Sequence, residues 1–145
     1  MLLRPLSCMS MALALAVAGS FTAQAASPKT GFVREQALAM VEGALTPDQF
    51  TKLQLIAYQS AIANVCEGFN LDEAKVNKAF EALAPVDAAK MSAEQKAYHD
   101  KHILVIFGVL VGGELNAMAT DVSAACEDAA KQKADPDMLT DLVWQ

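Results

Sequence analysis

Ile103-Leu-Val-Ile-Phe-Gly-Val-Leu-Val-Gly-Gly113 is a run of eleven residues without a charge, set between His102 and Glu114. Taken alone it is too short to cross a bilayer as a helix, which needs about 20 apolar residues. Wound at about 100° per residue from a start near Ser92, it places Leu104, Gly108, Val111, Leu115, Met118 and Val122 on one side. Ile106 and Val109 then lie opposite, with Ile103, Phe107 and Leu110 between. For two to three turns such a helix is apolar all round, the pattern of a helix surrounded by others. Past Gly113 its far side turns polar, with Asn116, Thr120 and Lys131. The expected centre of the fold is therefore one long, largely enclosed helix.

Going outward toward the C-terminus, the helical pattern continues as far as Lys133, about 40 residues or roughly 60 Å. One small domain does not cover that length comfortably. A kink or break is expected at Gly112-Gly113, where two glycines weaken the helix. Asp135-Pro136-Asp137 resembles a further helix start, leading into Met138, Leu139, Leu142, Val143 and Trp144.

Toward the N-terminus, Ser92-Ala-Glu-Gln95 is the opening signal of the long helix, and Pro85 closes the element before it. That element has Asn70-Leu-Asp-Glu73 as a capping box and Val76, Ala79, Phe80 and Leu83 as an inner stripe, giving a short helix over 72–83. Thr46-Pro47-Asp48-Gln49 combines a cap, a proline suited to the first turn and a capping-box glutamine. From it Leu55, Tyr58, Ile62, Val65 and Phe69 recur at helical spacing, and Gly68 and Asn70 end the helix. Phe32 to Ala44 reads as a short helix behind a loose leader over 26–30. No segment alternates as a strand does. The fold class is all-α, a small bundle of four to six helices with one disulfide.

The first 25 residues carry the marks of an export signal. Arg4 is the positive end, Met9 to Ala18 the apolar middle, and Ala23-Gln24-Ala25 a small-x-small cleavage site, so the mature chain is expected to begin at Ala26. Residues 26–145 then form a single domain, periplasmic or secreted, and not an integral membrane protein once the signal is removed. The whole chain carries a net charge of −6, and losing Arg4 makes the remainder one unit more acidic. That sign argues against nucleic acid and anionic lipid as standing partners.

Two cysteines stay in the mature chain, Cys66 and Cys126, with no Cys-x-x-Cys spacing. In an oxidising compartment an even pair is most simply one bridge. Cys126 lies about 40° from Leu104 on the helical wheel, and Cys66 lies four after Ile62, so both face inward. Joining them brings two helix ends together with the 72–83 helix returning between, an up-down-up arrangement.

The candidate sites are few. His99 and His102, at i and i+3, share one helix side and could hold a metal with a third ligand from elsewhere, or could be two solvated, titrating imidazoles. Glu114 is either a buried acid with a raised pKa or an edge carboxylate, and the wheel puts it at the flank. Gly108-x-x-x-Gly112 lets another backbone come close. Ile103, Ile106, Val109 and Leu110 are the candidate partner-binding residues of the apolar run. Scattered Met40, Met91, Met118 and Met138 read as core filling. No phosphate loop, haem motif, nucleophile setting or paired-acid signature is visible, and no cofactor is expected.

The local stretches Cys66-Glu-Gly-Phe69 and Ala125-Cys-Glu127 are similar to the cysteine neighbourhoods of the acid-stress chaperones of the bacterial periplasm. The resemblance covers those two patches, and here the first cysteine lies some 40 residues into the mature chain. It implies a helical domain that loosens at low pH and exposes the 103–111 surface to client proteins. The residues themselves leave three readings open: a non-enzymatic binding or interaction protein, a metal-handling protein using His99 and His102, and self-association through the apolar run.

Overall fold

Capping chemistry sets where the helices begin. The computed structural model describes residues 28–41 and 43–145; the signal segment over 1–25 and the cleavage ahead of Ala26 lie outside the described residues. Five α-helices are present among them: α1 (Pro28–Met40), α2 (Pro47–Val65), α3 (Glu73–Glu81), α4 (Ala93–Met118) and α5 (Val122–Ala134). Single 3-10 turns lie at Ala88–Lys90 and Pro136–Met138. α1 begins at Pro28, so helix occupies part of the stretch expected to be a loose leader.

Thr46 and Ser92 each close a complete capping box, with Gln49 and Gln95 respectively. Gln49 does more, since its Nε2 donates to the carbonyls of Ala82 and Ala84 and ties the start of α2 to the end of α3. Asp72, and not Asn70, caps α3 by accepting from the Lys75 amide at 3.1 Å. Gly68, at φ +81°, makes the left-handed turn that leads away from α2.

α4 runs unbroken through Gly112 and Gly113, and the chain breaks at Ala119–Asp121 instead. Two physical terms decide this. Gly113 is held in helix by packing: a Cβ there would lie 2.6 Å from Val33 Cγ1, so α1 rests directly on the bare backbone of α4. Asp121 supplies a terminator, its side chain accepting from the Ala124 amide at 3.0 Å to start α5.

The core falls into two clusters. The first joins Ala37 of α1 and Val41 just past its end, Phe50, Leu53, Ile56 and Ala57 of α2, and Ile103, Ile106 and Leu110 of α4, with Leu83. The second joins Ala61 and Ile62 of α2 with Cys66, Phe69, Met118, Ala129 of α5, Leu142 and Trp144. The first turns of α2 and α4 both meet the end of α3, and their last turns share the second cluster, so the two helices run the same way with α3 returning. Cys66 and Cys126 are bonded, with Cα atoms 5.6 Å apart.

The buried sides of both long helices are rotated from those the helical wheel predicts. In α2 the buried set is Phe50, Leu53, Ile56, Ala57 and the stretch 59–62, while Val65 is exposed. In α4 the buried line is His99, Ile103, Ile106, Leu110 and Gly113, and Leu104 is 56 % exposed. α4 is thus covered on one side by α1 and α2 and bare on the other, not enclosed all round. Within its 26 residues it is also long and apolar enough, by length and composition, to cross a membrane, which the eleven-residue run alone is not.

The C-terminal residues do not continue as a helix. After one 3-10 turn they extend, and Leu71 and Trp144 form an antiparallel bridge. Gln59, fully buried in α2, holds this tail. Its Oε1 accepts from the Val143 amide at 2.6 Å, its Nε2 donates to the Asp141 carbonyl, and its carbonyl accepts from Trp144 Nε1. Trp144 packs edge-on against Phe69, with ring centroids 4.7 Å apart.

Candidate functional site

The capping box at Ser92 fixes the start of α4, and residues on one side of the next three turns then line a cleft of about 550 Å³. Glu94, Tyr98 and His102 follow one another at four-residue spacing, and His99 lies beside them. The opposite wall comes from Gly43 and Ala44 ahead of α2, and from Pro85, Asp87 and Met91 ahead of α4.

His99 is buried, and its Nε2 lies 3.0 Å from the carbonyl oxygen of Leu83. A carbonyl can only accept, so Nε2 carries the proton in this bond. His102 is half-buried, its ring tilted against Tyr98 at 5.7 Å between centroids. Glu94 is exposed; its own backbone amide and the Ser92 hydroxyl hold its carboxyl below the usual glutamate range.

The two histidines thus share one cleft, but His99 Nε2 is committed to Leu83. Among the described residues no three His, Cys, Asp or Glu side chains gather closely enough to hold a metal ion. Glu94 and Tyr98 join the two histidines here at a four-residue spacing that is itself visible in the sequence. Asp87 and the Gly43–Ala44 wall arrive only through the packing of α1 and α2 on α4.

A second feature lies further along the same helix. Leu104 and Val105, 56 % and 57 % exposed, and Val109, 37 % exposed, flank Gly108 and Gly112. A Cβ at either glycine would meet nothing within 4 Å. Of the four residues expected to meet a partner, Ile103, Ile106 and Leu110 belong to the first core cluster and Val109 is exposed.

Glu114 sits where α1 meets α4, half-buried. Burial pushes its carboxyl above the ordinary value, and the positive field of Arg34 on α1 opposes that shift more weakly. Arg34 Nε is itself buried without a hydrogen-bond partner. No protein-family profile, curated protein sequence or solved structure matches this chain.

Proposed function

We propose that this protein is a non-catalytic binding module of an oxidising compartment, periplasmic or extracellular, that meets a protein partner or a second copy through the bare side of α4. One observation carries the reading: Leu104, Val105 and Val109 stand in water on a rigid helix, with two open glycines between them. Single exposed apolar residues are ordinary, whereas a contiguous group on a helix face marks an interaction surface. The Cys66–Cys126 bond is compatible with export, as is the signal-like segment over 1–25.

The test compares the exported protein with a Leu104→Lys/Val105→Gln variant, by sedimentation and by cross-linked capture from the envelope. The expected result is self-association or capture of a defined protein that the variant loses, with helicity and disulfide unchanged. A strict monomer whose captured set is the same in both proteins would overturn the reading. Full-length chain recovered from the cytoplasm with both thiols reduced would overturn its localisation.

A further inference from the structure

α5 is fixed at both ends and lightly held between them. Met118, buried in the second cluster, precedes it. Gln59 grips the chain after it, through the Asp141 carbonyl at 3.0 Å and the Val143 amide at 2.6 Å. Of the 13 residues of α5 only Ala129 is buried, and a methyl group offers little apolar area to hold a helix down. Its polar contacts to other elements are long. Gln132 Nε2 donates to Tyr58 Oη at 3.3 Å, and Lys133 Nζ donates to the Gly68 carbonyl at 3.3 Å while lying 5.3 Å from the centre of the Phe69 ring. A helix this short is marginal in water without packing.

Tyr58, Ile62 and Cys66 recur every four residues along one line of α2. α5 meets that line at both ends, through the Cys66–Cys126 bond and through Gln132 on Tyr58. Ile62, between them, is fully buried in the same cluster as Ala129. The first cluster contains no residue of α5 and no cysteine. The covalent bond therefore acts directly on the seating of α5 against α2, and not on the packing of α1, α2 and α4 around Leu53 and Ile106. Cys126 is half-buried and Cys66 is buried, so a reductant reaches the bond from the Cys126 side.

We propose that the Cys66–Cys126 bond is a redox latch that keeps α5 closed over α2. A dithiol reductant opens it. One thiolate of the reductant attacks Cys126 Sγ, the S–S bond breaks, and Cys66 leaves as a thiolate that takes up a proton. The second thiol of the reductant then displaces Cys126 Sγ and closes the reductant's own disulfide, so two electrons and two protons pass to the two cysteines. Freed of the bond, α5 swings as a flap between the 119–121 break and the 139–145 strap. The Tyr58–Ile62–Cys66 line and Met118 come into water, a contiguous apolar surface of the kind that meets partners. The first cluster and the strap stay in place. The latch does not depend on what meets the Leu104 and Val105 surface.

The experiment is amide hydrogen exchange on the full chain, first with the disulfide formed and then in dithiothreitol. In the bonded protein the α5 amides should be protected; once reduced, they should exchange close to the rate of an unfolded chain. Under the same reducing conditions the α2 and α4 amides that line the first cluster, and the Val143 amide, should keep at least about a hundredfold protection. Iodoacetamide should then label Cys66 about as fast as Cys126, since the flap no longer covers it. Oxidised glutathione should restore the protection of α5. Cys66→Ser/Cys126→Ser should show the open α5 with or without dithiothreitol. Gln132→Ala, which removes the contact to Tyr58 but not the bond, should leave α5 protected while the disulfide is intact. If the α5 amides are as protected after reduction as before, the bond is no latch. If every helix loses protection together, it supports the whole domain and the proposal also fails, as it does if Gln132→Ala alone frees α5.

Discussion

Three glycines of α4 show how one residue type serves opposite ends on one helix. Gly108 and Gly112 are open, so Gly108→Ala should stabilise by about 0.5–1 kcal/mol through helix propensity alone. Gly113→Ala instead drives a methyl to 2.6 Å from Val33 Cγ1 and 3.0 Å from Val33 Cβ, atoms too close to the α1 backbone to swing aside. It should destabilise by about 1–3 kcal/mol, and Val33→Ala in the same chain should recover part of the loss. Urea denaturation of the four proteins checks both signs. Glu114 gives a second prediction. Its folded pKa lies above the ordinary value, so its contribution to stability is fully present below that ordinary value and is lost as pH rises through the folded pKa. Glu114→Gln should match the wild type at about pH 3.5 and be the more stable at about pH 7, measured by the same denaturation. That sign runs against a domain loosened by acid at this contact. The sequence shows Gly112-Gly113 as equivalent weak points, and it leaves Glu114 open as a buried acid with a raised pKa or an edge carboxylate, a choice that only the packing of α1 settles.

Among the elements, the starts were legible and the ends less so. The cap signals at Thr46 and Ser92 are local, made by residues three apart, and both form as written. The α4–α5 break moved from the glycines to Asp121, because a helix weakened in isolation was held by α1 while a local cap stopped it elsewhere. The last residues read as a helix but form an extended strap, since Gln59 and the backbone of the 70–72 stretch offer bonds that a short terminal helix would forgo. Asn70 accepts from the Gln145 amide, and the Asp72 amide donates to Val143. Gln59→Leu should therefore cost about 1–3 kcal/mol, leaving the buried Val143 amide without an acceptor. Hydrogen exchange at Val143 and a red shift of Trp144 fluorescence should report the strap detaching before global unfolding.

At the scale of the whole molecule, two clusters share α2 and α4 as common walls, and the Cys66–Cys126 bond crosses the second of them. With the cysteines 60 positions apart in sequence, the chain-entropy estimate of its stabilisation is about 4 kcal/mol. For a domain of this size that is a large share of net stability, so Cys66→Ala/Cys126→Ala should lower Tm by more than about 10 °C. Calorimetry of the two proteins checks this. α1 then packs on only one side of α4, which leaves the Leu104–Val109 surface open. Gly43 and Ala44, in the connection between α1 and α2, form one wall of the cleft around His99.

By itself the sequence determined the all-α fold class seen in the described residues, where α2 and α4 start, and that the two cysteines would pair. Those features rest on spacing within one turn or on thiol count, and need no knowledge of neighbours. Only the tertiary structure decided which side of α4 is wet, which glycine is a seat for α1, and which groups gather around His99. Burial is a property of what lies opposite, and a helix apolar on every side carries no information about which side its partners will take.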